Sequence, residues 1–375
     1  MAVWSSLFQQ ATTQHKQHSK HKNLIMKKTL FFVALATAMG FNNAQAVDWD
    51  WKGDIRYRYQ SGIQEHQDHS RDRHRLRVRF GMNAWINEEL SAGLRLATGK
   101  ESDPISRNQT LDNEFGPKNI MLDEAFINYH PMMFNGDVNL LLGKRATKST
   151  LFVEDDLLWD GDLTLEGITL QYGKDIKGKQ KSGFGAIAGW YSIDEGKSEN
   201  DPYFVSLQGA YKGSASDLKY DLGVGYHDFV HYYTDYDMNI VEFFGSIGGK
   251  VSGTPWKLYG MYAFNTASQD DNIFIDDSER DAYMVGVKLG KAKKPGQLEG
   301  SAEYVHIESD AVAAEFTDSD RNGGGTNCEG FKLNAKYQLI QNMTLGVTYF
   351  NFNDITGPDK DLTNHLLQAD VVVKF

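Results

Sequence analysis

From Trp49 onward the chain alternates apolar and polar residues with a period of two, in segments of roughly ten residues that recur to the last position. In the first segment Trp49, Trp51, Ile55, Tyr57 and Tyr59 fall on one face, and Asp50, Lys52, Asp54, Arg56 and Arg58 on the other. The second sets Leu76, Val78, Phe80, Met82 and Ala84 against Arg73, Arg75, Arg77, Arg79 and Asn83. The split returns at 203–211, 218–226, 283–289 and 331–339. A period of two belongs to β-strands, whose successive side chains point to opposite faces. No window carries a helical stripe, so the expected fold is all-β.

The connections are of two kinds. Short ones carry turn chemistry: Asn87-Glu88-Glu89, Lys212-Gly213-Ser214, Ser252-Gly253-Thr254-Pro255 and Ile340-Gln341-Asn342. Long ones are polar and acidic: 61–72, 99–118, 146–162, 194–201, 265–280, 309–327 and 353–364. Strands are expected near 49–60, 73–86, 90–98, 120–130, 137–145, 163–173, 183–193, 202–212, 218–228, 239–251, 256–265, 281–290, 298–308, 329–339, 343–352 and 365–375, about sixteen in all. An even count returns both termini to one side. Short turns on one side and long loops on the other are the asymmetry of a transmembrane antiparallel β-barrel. In hydrocarbon every backbone N–H and C=O must be paired within the protein, so a spanning sheet has to close. Closure at about sixteen strands leaves an interior too wide for side chains to fill, and it holds water. A soluble sandwich would also alternate, but it accounts for neither the arginine-lined face nor the loop asymmetry.

The N-terminal region fits export. Met26-Lys27-Lys28 is followed by the apolar run Thr29–Met39 and by Ala44-Gln45-Ala46, the order of a cleaved signal peptide over 26–46. Residues 1–25 read as an extension from a mis-assigned start, and the mature chain as beginning at Val47. With one cysteine, Cys328, an intrachain disulfide is excluded, and the net charge of −11 argues against nucleic-acid binding.

Several stretches together resemble the bacterial putative-porin group of the general porin superfamily. They are WDWKGDIRYRYQ (49–60), RLRVRFGMNAWINEELSAGLRLATG (75–99), LDEAFINYHP (122–131), LLGKRATKSTLFVEDDLLWDGDLTLEGI (141–168) and the terminal VVVKF. The resemblance implies a sixteen-stranded outer-membrane barrel, a homotrimer, and a third external loop folded into the pore, here 146–162. It also implies that Phe375, with Val373 and Val371 on the same face, is the signal read by the barrel-assembly machinery. Outer-membrane lipid, lipopolysaccharide and small hydrophilic solutes are the other expected partners, with no cofactor and no metal.

Function in such a channel rests on size and field rather than on a reaction. Arg56, Arg58, Arg73, Arg75, Arg77, Arg79 and Arg95 are the candidate basic wall. On the lipid side each would cost about 2–4 kcal/mol near the midplane, so the face they share must be lumenal. The loop acids Glu154, Asp155, Asp156, Asp160 and Asp162 are expected to face them, giving a transverse field. Leu151, Phe152, Leu157, Leu158 and Trp159 suggest that this loop packs against something. The alternatives are a merely solvated polar face and an ordinary surface loop. His66, His69 and His74, the pair His227 and His231, and the acids Asp270, Asp271, Asp276 and Asp277 read as solvated loop and strand residues rather than metal sites. Gly323-Gly324-Gly325 reads as a loop tip. No nucleophile elbow, phosphate loop or dinucleotide glycine pattern stands out, so no catalytic residue is expected. The expected function is a water-filled channel for passive diffusion of ions and small hydrophilic solutes; a substrate-selective porin is the alternative within that class, and a plugged adhesion barrel or a barrel hydrolase the rivals outside it.

Overall fold

The computed structural model describes residues 47–65, 68–197, 200–232, 238–267, 279–358, 360 and 362–375. The segments 1–25 and 26–46 lie outside them, as do His66, Asp270, Asp271, Asp276 and Asp277.

Alternation is realised as one sheet of strands β1 (Asp48–Gln64), β2 (Arg71–Asn87), β3 (Leu90–Thr98), β4 (Gln109–Thr110), β5 (Ile120–Tyr129), β6 (Val138–Ala146), β7 (Thr164–Tyr172), β8 (Gly183–Ser192) and β9 (Tyr203–Ala215). It continues with β10 (Leu218–Val230), β11 (Met238–Val251), β12 (Thr254–Asn265), β13 (Asp281–Gly290), β14 (Leu298–Ile307), β15 (Cys328–Ile340), β16 (Met343–Asp354) and β17 (Thr363–Lys374). β4 is a two-residue piece of loop laid on β2. The other sixteen pair antiparallel, each with the next along the chain, and β17 returns to pair with β1. The sheet is a closed barrel. Its spanning strands run from nine residues in β3 to seventeen in β1, enough to cross the hydrocarbon. No helix among the described residues is long and apolar enough to do so.

At the seam Gly53 and Phe375 exchange two backbone hydrogen bonds, of 2.8 and 3.0 Å. Val373 lies opposite Ile55 and Val371 opposite Tyr57. A Cβ at Gly53 would sit 2.5 Å from the Phe375 ring, so the glycine makes the space that the terminal aromatic fills.

Two-residue turns at one end join β2 to β3, β9 to β10, β11 to β12 and β15 to β16. Ser252 (φ 49°) and Gly253 (φ 83°) both take the left-handed conformation that a tight hairpin with matched twist requires. One turn departs from expectation: β9 runs through Lys212-Gly213-Ser214, and the chain reverses at Ser216-Asp217. Gly213 provides room rather than a bend, since a Cβ there would lie 2.5 Å from the Tyr220 ring. Connections 130–137, 173–182 and 291–297 at the same end are longer. The opposite end carries the long loops, among them the second (99–119), third (147–163) and seventh (308–327).

Leu170, Leu207, Leu222, Phe243, Val285 and Leu333 are among the large apolar side chains exposed on the outer face. Outward aromatics gather near both strand ends. Tyr57, Trp190, Tyr226 and Tyr283 lie towards the loops, and Trp49, Trp51, Tyr172, Tyr211 and Phe375 towards the turns. Rings with one apolar body and one polar edge settle at a lipid–water boundary, so the two belts bracket the hydrocarbon.

Candidate functional site: a constriction between the arginine wall and two loops

The inner face of β1 and β2 follows from register. Asp54 stands opposite Arg79, Arg56 opposite Arg77, Arg58 opposite Arg75 and Gln60 opposite Arg73. Like charges directly across a ladder repel, so this wall stands only if counter-charges reach it. They come from β1 itself and from distant parts of the chain. Asp370 on β17 grips Arg58 through Nε and a terminal nitrogen, at 2.7 and 2.9 Å. Asp54 takes Arg77 at 2.9 Å and Arg79 at 2.7 Å. Arg95, on β3 opposite Gly81 of β2, is held by Asp123, at 2.5 Å, and by Glu124. A register shift beside Arg95 leaves both neighbouring acids buried instead of alternating.

The third loop begins where β6 and β7 present two glycines to each other, Gly143 opposite Gly167. A Cβ at Gly143 would fall 2.4 Å from the Ala125 carbonyl oxygen, and one at Gly167 2.0 Å from that of Trp190. No larger residue fits either position. One helical turn, Thr147–Thr150, follows, and then Leu151, Phe152, Leu157, Leu158 and Trp159, all buried. They pack against Ile187, Phe204, Phe229 and Phe244 in the wall of β8 to β11. Gln208 fixes the loop backbone, accepting from the Phe152 N–H at 2.8 Å and donating to its carbonyl at 2.9 Å. Lys174, from a connection at the turn end, donates to the carbonyls of Lys148 and Leu151 at 3.1 and 2.5 Å.

The loop acids divide. Asp162 lies 3.5 Å from Arg77 and 3.3 Å from Arg79, and accepts from the Arg107 N–H at 3.3 Å. Burial pulls its carboxyl up, but Arg77 and Arg79 more than offset this and hold it below the usual range. Asp156 and Asp160 line the same cavity. Glu154 and Asp155 depart from the expected arrangement. Glu154 pairs with Lys257 on β12, and Asp155, half-buried, lies near Glu303 on β14, because the apolar residues on either side of them, Leu151 and Phe152 before and Leu157 to Trp159 after, turn this part of the loop into the wall.

The seventh loop also enters the lumen, which the sequence reading did not anticipate. Arg321, fully buried, donates to the Asp156 carbonyl at 3.1 Å and pairs with the Asp156 carboxylate. Lys332 on β15 bridges Asp156, at 2.8 Å, and Asp318, at 3.1 Å. The Asp160 N–H donates to the Phe316 carbonyl at 2.7 Å, and Asp320 reaches Arg58 at 3.2 Å. Gly323, Gly324 and Gly325 all have left-handed φ angles and turn the loop back past Arg321. The possible signal was the apolar set Ala311, Val312, Ala313 and Phe316, diluted among acids.

What remains open between wall and loops is a cavity of about 500 Å³. The wall lends it Arg56, Arg58, Arg77 and Arg79, and the loops lend it Asp156, Asp160, Asp162, Asp318 and Asp320. Arg73, Arg75 and Arg95 do not line it. The histidines serve elsewhere: His227 is buried, 3.0 Å from Glu242 and edge-on to Trp159, while His74 meets Tyr57 on the outer face. His69 is exposed in the first loop, and His231, at φ 57°, lies just beyond β10. Cys328 is buried in the apolar cluster at the start of β15.

A closed sixteen-stranded barrel with a charged, loop-narrowed lumen can be set beside known proteins. The profile of a family described as "Putative porin" matches residues 14–243 and 258–375. The chain belongs to the putative porin family. This porin is similar in fold to OprB of Pseudomonas putida, at 11% identity and TM-score 0.61, over 87% of this chain and 94% of that one. It is similar also to Salmonella typhi OmpF, solved with daunomycin, at 13% identity and TM-score 0.55, over 89% and 99% of the two chains. OmpT of Vibrio cholerae in its trimer form gives 12% identity and TM-score 0.53, over 88% and 100%. No curated protein matches the sequence. The porin is an outer-membrane β-barrel.

Proposed function

We propose that this porin works as a homotrimer and passes ions and small hydrophilic solutes by passive diffusion, without a covalent step, through a lumen narrowed by the third and seventh loops. The observation that carries the reading is the shared cavity, with arginines from the barrel wall and carboxylates from the loops on one small space. Opposed rows of charge set up a transverse field, which orders water and aligns polar solutes while disfavouring apolar ones. The trimer form described for the Vibrio OmpT fold supports the oligomeric state. Lipid and lipopolysaccharide surround the outer face in this reading, and the barrel-assembly machinery receives the Phe375 strand.

Purified protein in planar bilayers, bathed by a potassium chloride gradient, tests the proposal. Wild-type protein should give stepwise conductance, and liposomes carrying it should swell in sugars, amino acids and phosphate. The double variant Arg75→Gln/Arg77→Gln should move the reversal potential towards cations. A protein that inserts but never conducts would be the plugged adhesion barrel instead. An unmoved reversal potential would take the arginines out of the selectivity mechanism.

A further inference from the structure

Arg56 and Arg58 on β1 and Arg73, Arg75, Arg77 and Arg79 on β2 face the lumen, and they are not equivalent. Arg58 is neutralised by Asp370 and Asp320, and Arg77 and Arg79 share Asp54 and Asp162. Among the described residues, no carboxylate lies within ion-pair distance of Arg56, Arg73 or Arg75. Arg56 spends one N–H on the Asn108 amide oxygen, at 2.6 Å. Arg75 reaches only Gln60, at 3.2 Å, and Ser106, at 3.5 Å. In all three the Nε–H is buried with no acceptor. Register sets them at successive levels below the loops. Arg73 stands opposite Gln60, Arg75 is level with Arg58, and Arg56, opposite Arg77, is one level further from the loops. Two residues of strand make each step about 7 Å.

We infer that Arg73, Arg75 and Arg56 form a three-step relay for oxyanions, the carboxylate or phosphate groups of small solutes, while Arg58, Arg77 and Arg79 shape the wall. The inference rests on the porin reading above. A guanidinium offers five N–H donors in a planar fork that matches the paired oxygens of a carboxylate or phosphate. Here most of those donors are unspent, and a buried donor without an acceptor is costly to leave so. A chloride ion fills one donor pair, whereas an oxyanion can engage two or three N–H groups at each level. Separate weak sites suit conduction, because a solute held once and tightly would block the pore. Asn108 and Ser106, from the second loop, hold Arg56 and Arg75 by neutral groups that leave their charge in place.

The test uses the full-length porin in planar bilayers carrying a chloride current, with inorganic phosphate or acetate titrated from the loop side. Wild-type current should fall saturably with either anion. Arg56→Gln and Arg75→Gln should each raise the half-blocking phosphate concentration about tenfold, as for loss of a charge-assisted hydrogen bond. Arg56→Lys, which keeps the charge but not the fork, should raise it less. Asp370→Asn, which removes one of the two carboxylates on Arg58 in the middle of the row, should lower it. Block by phosphate alone would assign the site to phosphate groups, and block by acetate alone to carboxylates. Normal chloride current with no saturable block, or a block unchanged in Arg56→Gln and Arg75→Gln, would overturn the relay and leave the porin reading intact. Absence of chloride current in the wild type would remove both.

Discussion

Asp160 and Asp162, two residues apart in the third loop, have opposite electrostatic surroundings. Asp162 is held ionised by the arginines. Asp160 is pushed up to about 8, by burial first and then by the neighbouring Asp318, with Asp162 and Asp156 adding to the repulsion. A carboxyl raised in this way is neutral below that value and charged above it. Raising the pH through this range therefore adds one negative charge to the cavity, and the porin should become more permeable to cations relative to anions. Reversal potentials measured on either side of the transition check this, and Asp160→Asn should abolish the step. The arginines themselves were legible in the sequence, because alternate basic residues at 73–79 and at 56 and 58 must share a strand face. Which of them are neutralised was not. The counter-charges of Arg58 come from Asp370 and Asp320, hundreds of positions away, the first brought close by the register of β17 on β1 and the second by the docking of the seventh loop. Asp54 was visible on the arginine face, yet nothing local marked it as the carboxylate that serves two arginines.

The third loop is a docked element, and its sequence announced as much through Leu151, Phe152, Leu157, Leu158 and Trp159. What they dock against was hidden, since the partner wall of β8 to β11 is apolar on a face that alternation alone would leave polar. The clamp supplied by the seventh loop was hidden too, because Arg321 reads locally as one charge among many. Arg321→Ala would strip Asp156 and Asp318 of a buried partner and leave Lys332 to serve both. Losing one side of a buried ion pair costs about 3–5 kcal/mol, which the two loops would bear. Single-channel records of the variant should show larger, noisier currents, and limited proteolysis should newly cut within 147–163. Records as quiet as wild type would mean that the apolar contacts hold the loop unaided. The misplaced turn near Gly213 has a related cause: glycine marks both bends and close approaches, and the sequence does not say which.

At the scale of the molecule, strand number and order were legible because period two, turn residues and even parity agree along the whole length. The unequal heights of the wall were less so, since loops and strand extensions have similar composition. The seam offers the sharpest test of the architecture. Gly53→Val would drive a branched side chain into the Phe375 ring, an overpacking worth about 1–3 kcal/mol. Detergent-solubilised variant should lose its folded, heat-resistant form at a lower temperature than wild type, whereas an equal temperature would show that the ring has room to move. Because the first strand completes the last, every spanning strand is flanked by two others, and the ring has no outermost member from which to fray. Pulling out any one of them breaks two rows of bonds and bares two raw edges to oil, so the circle comes apart all at once or holds.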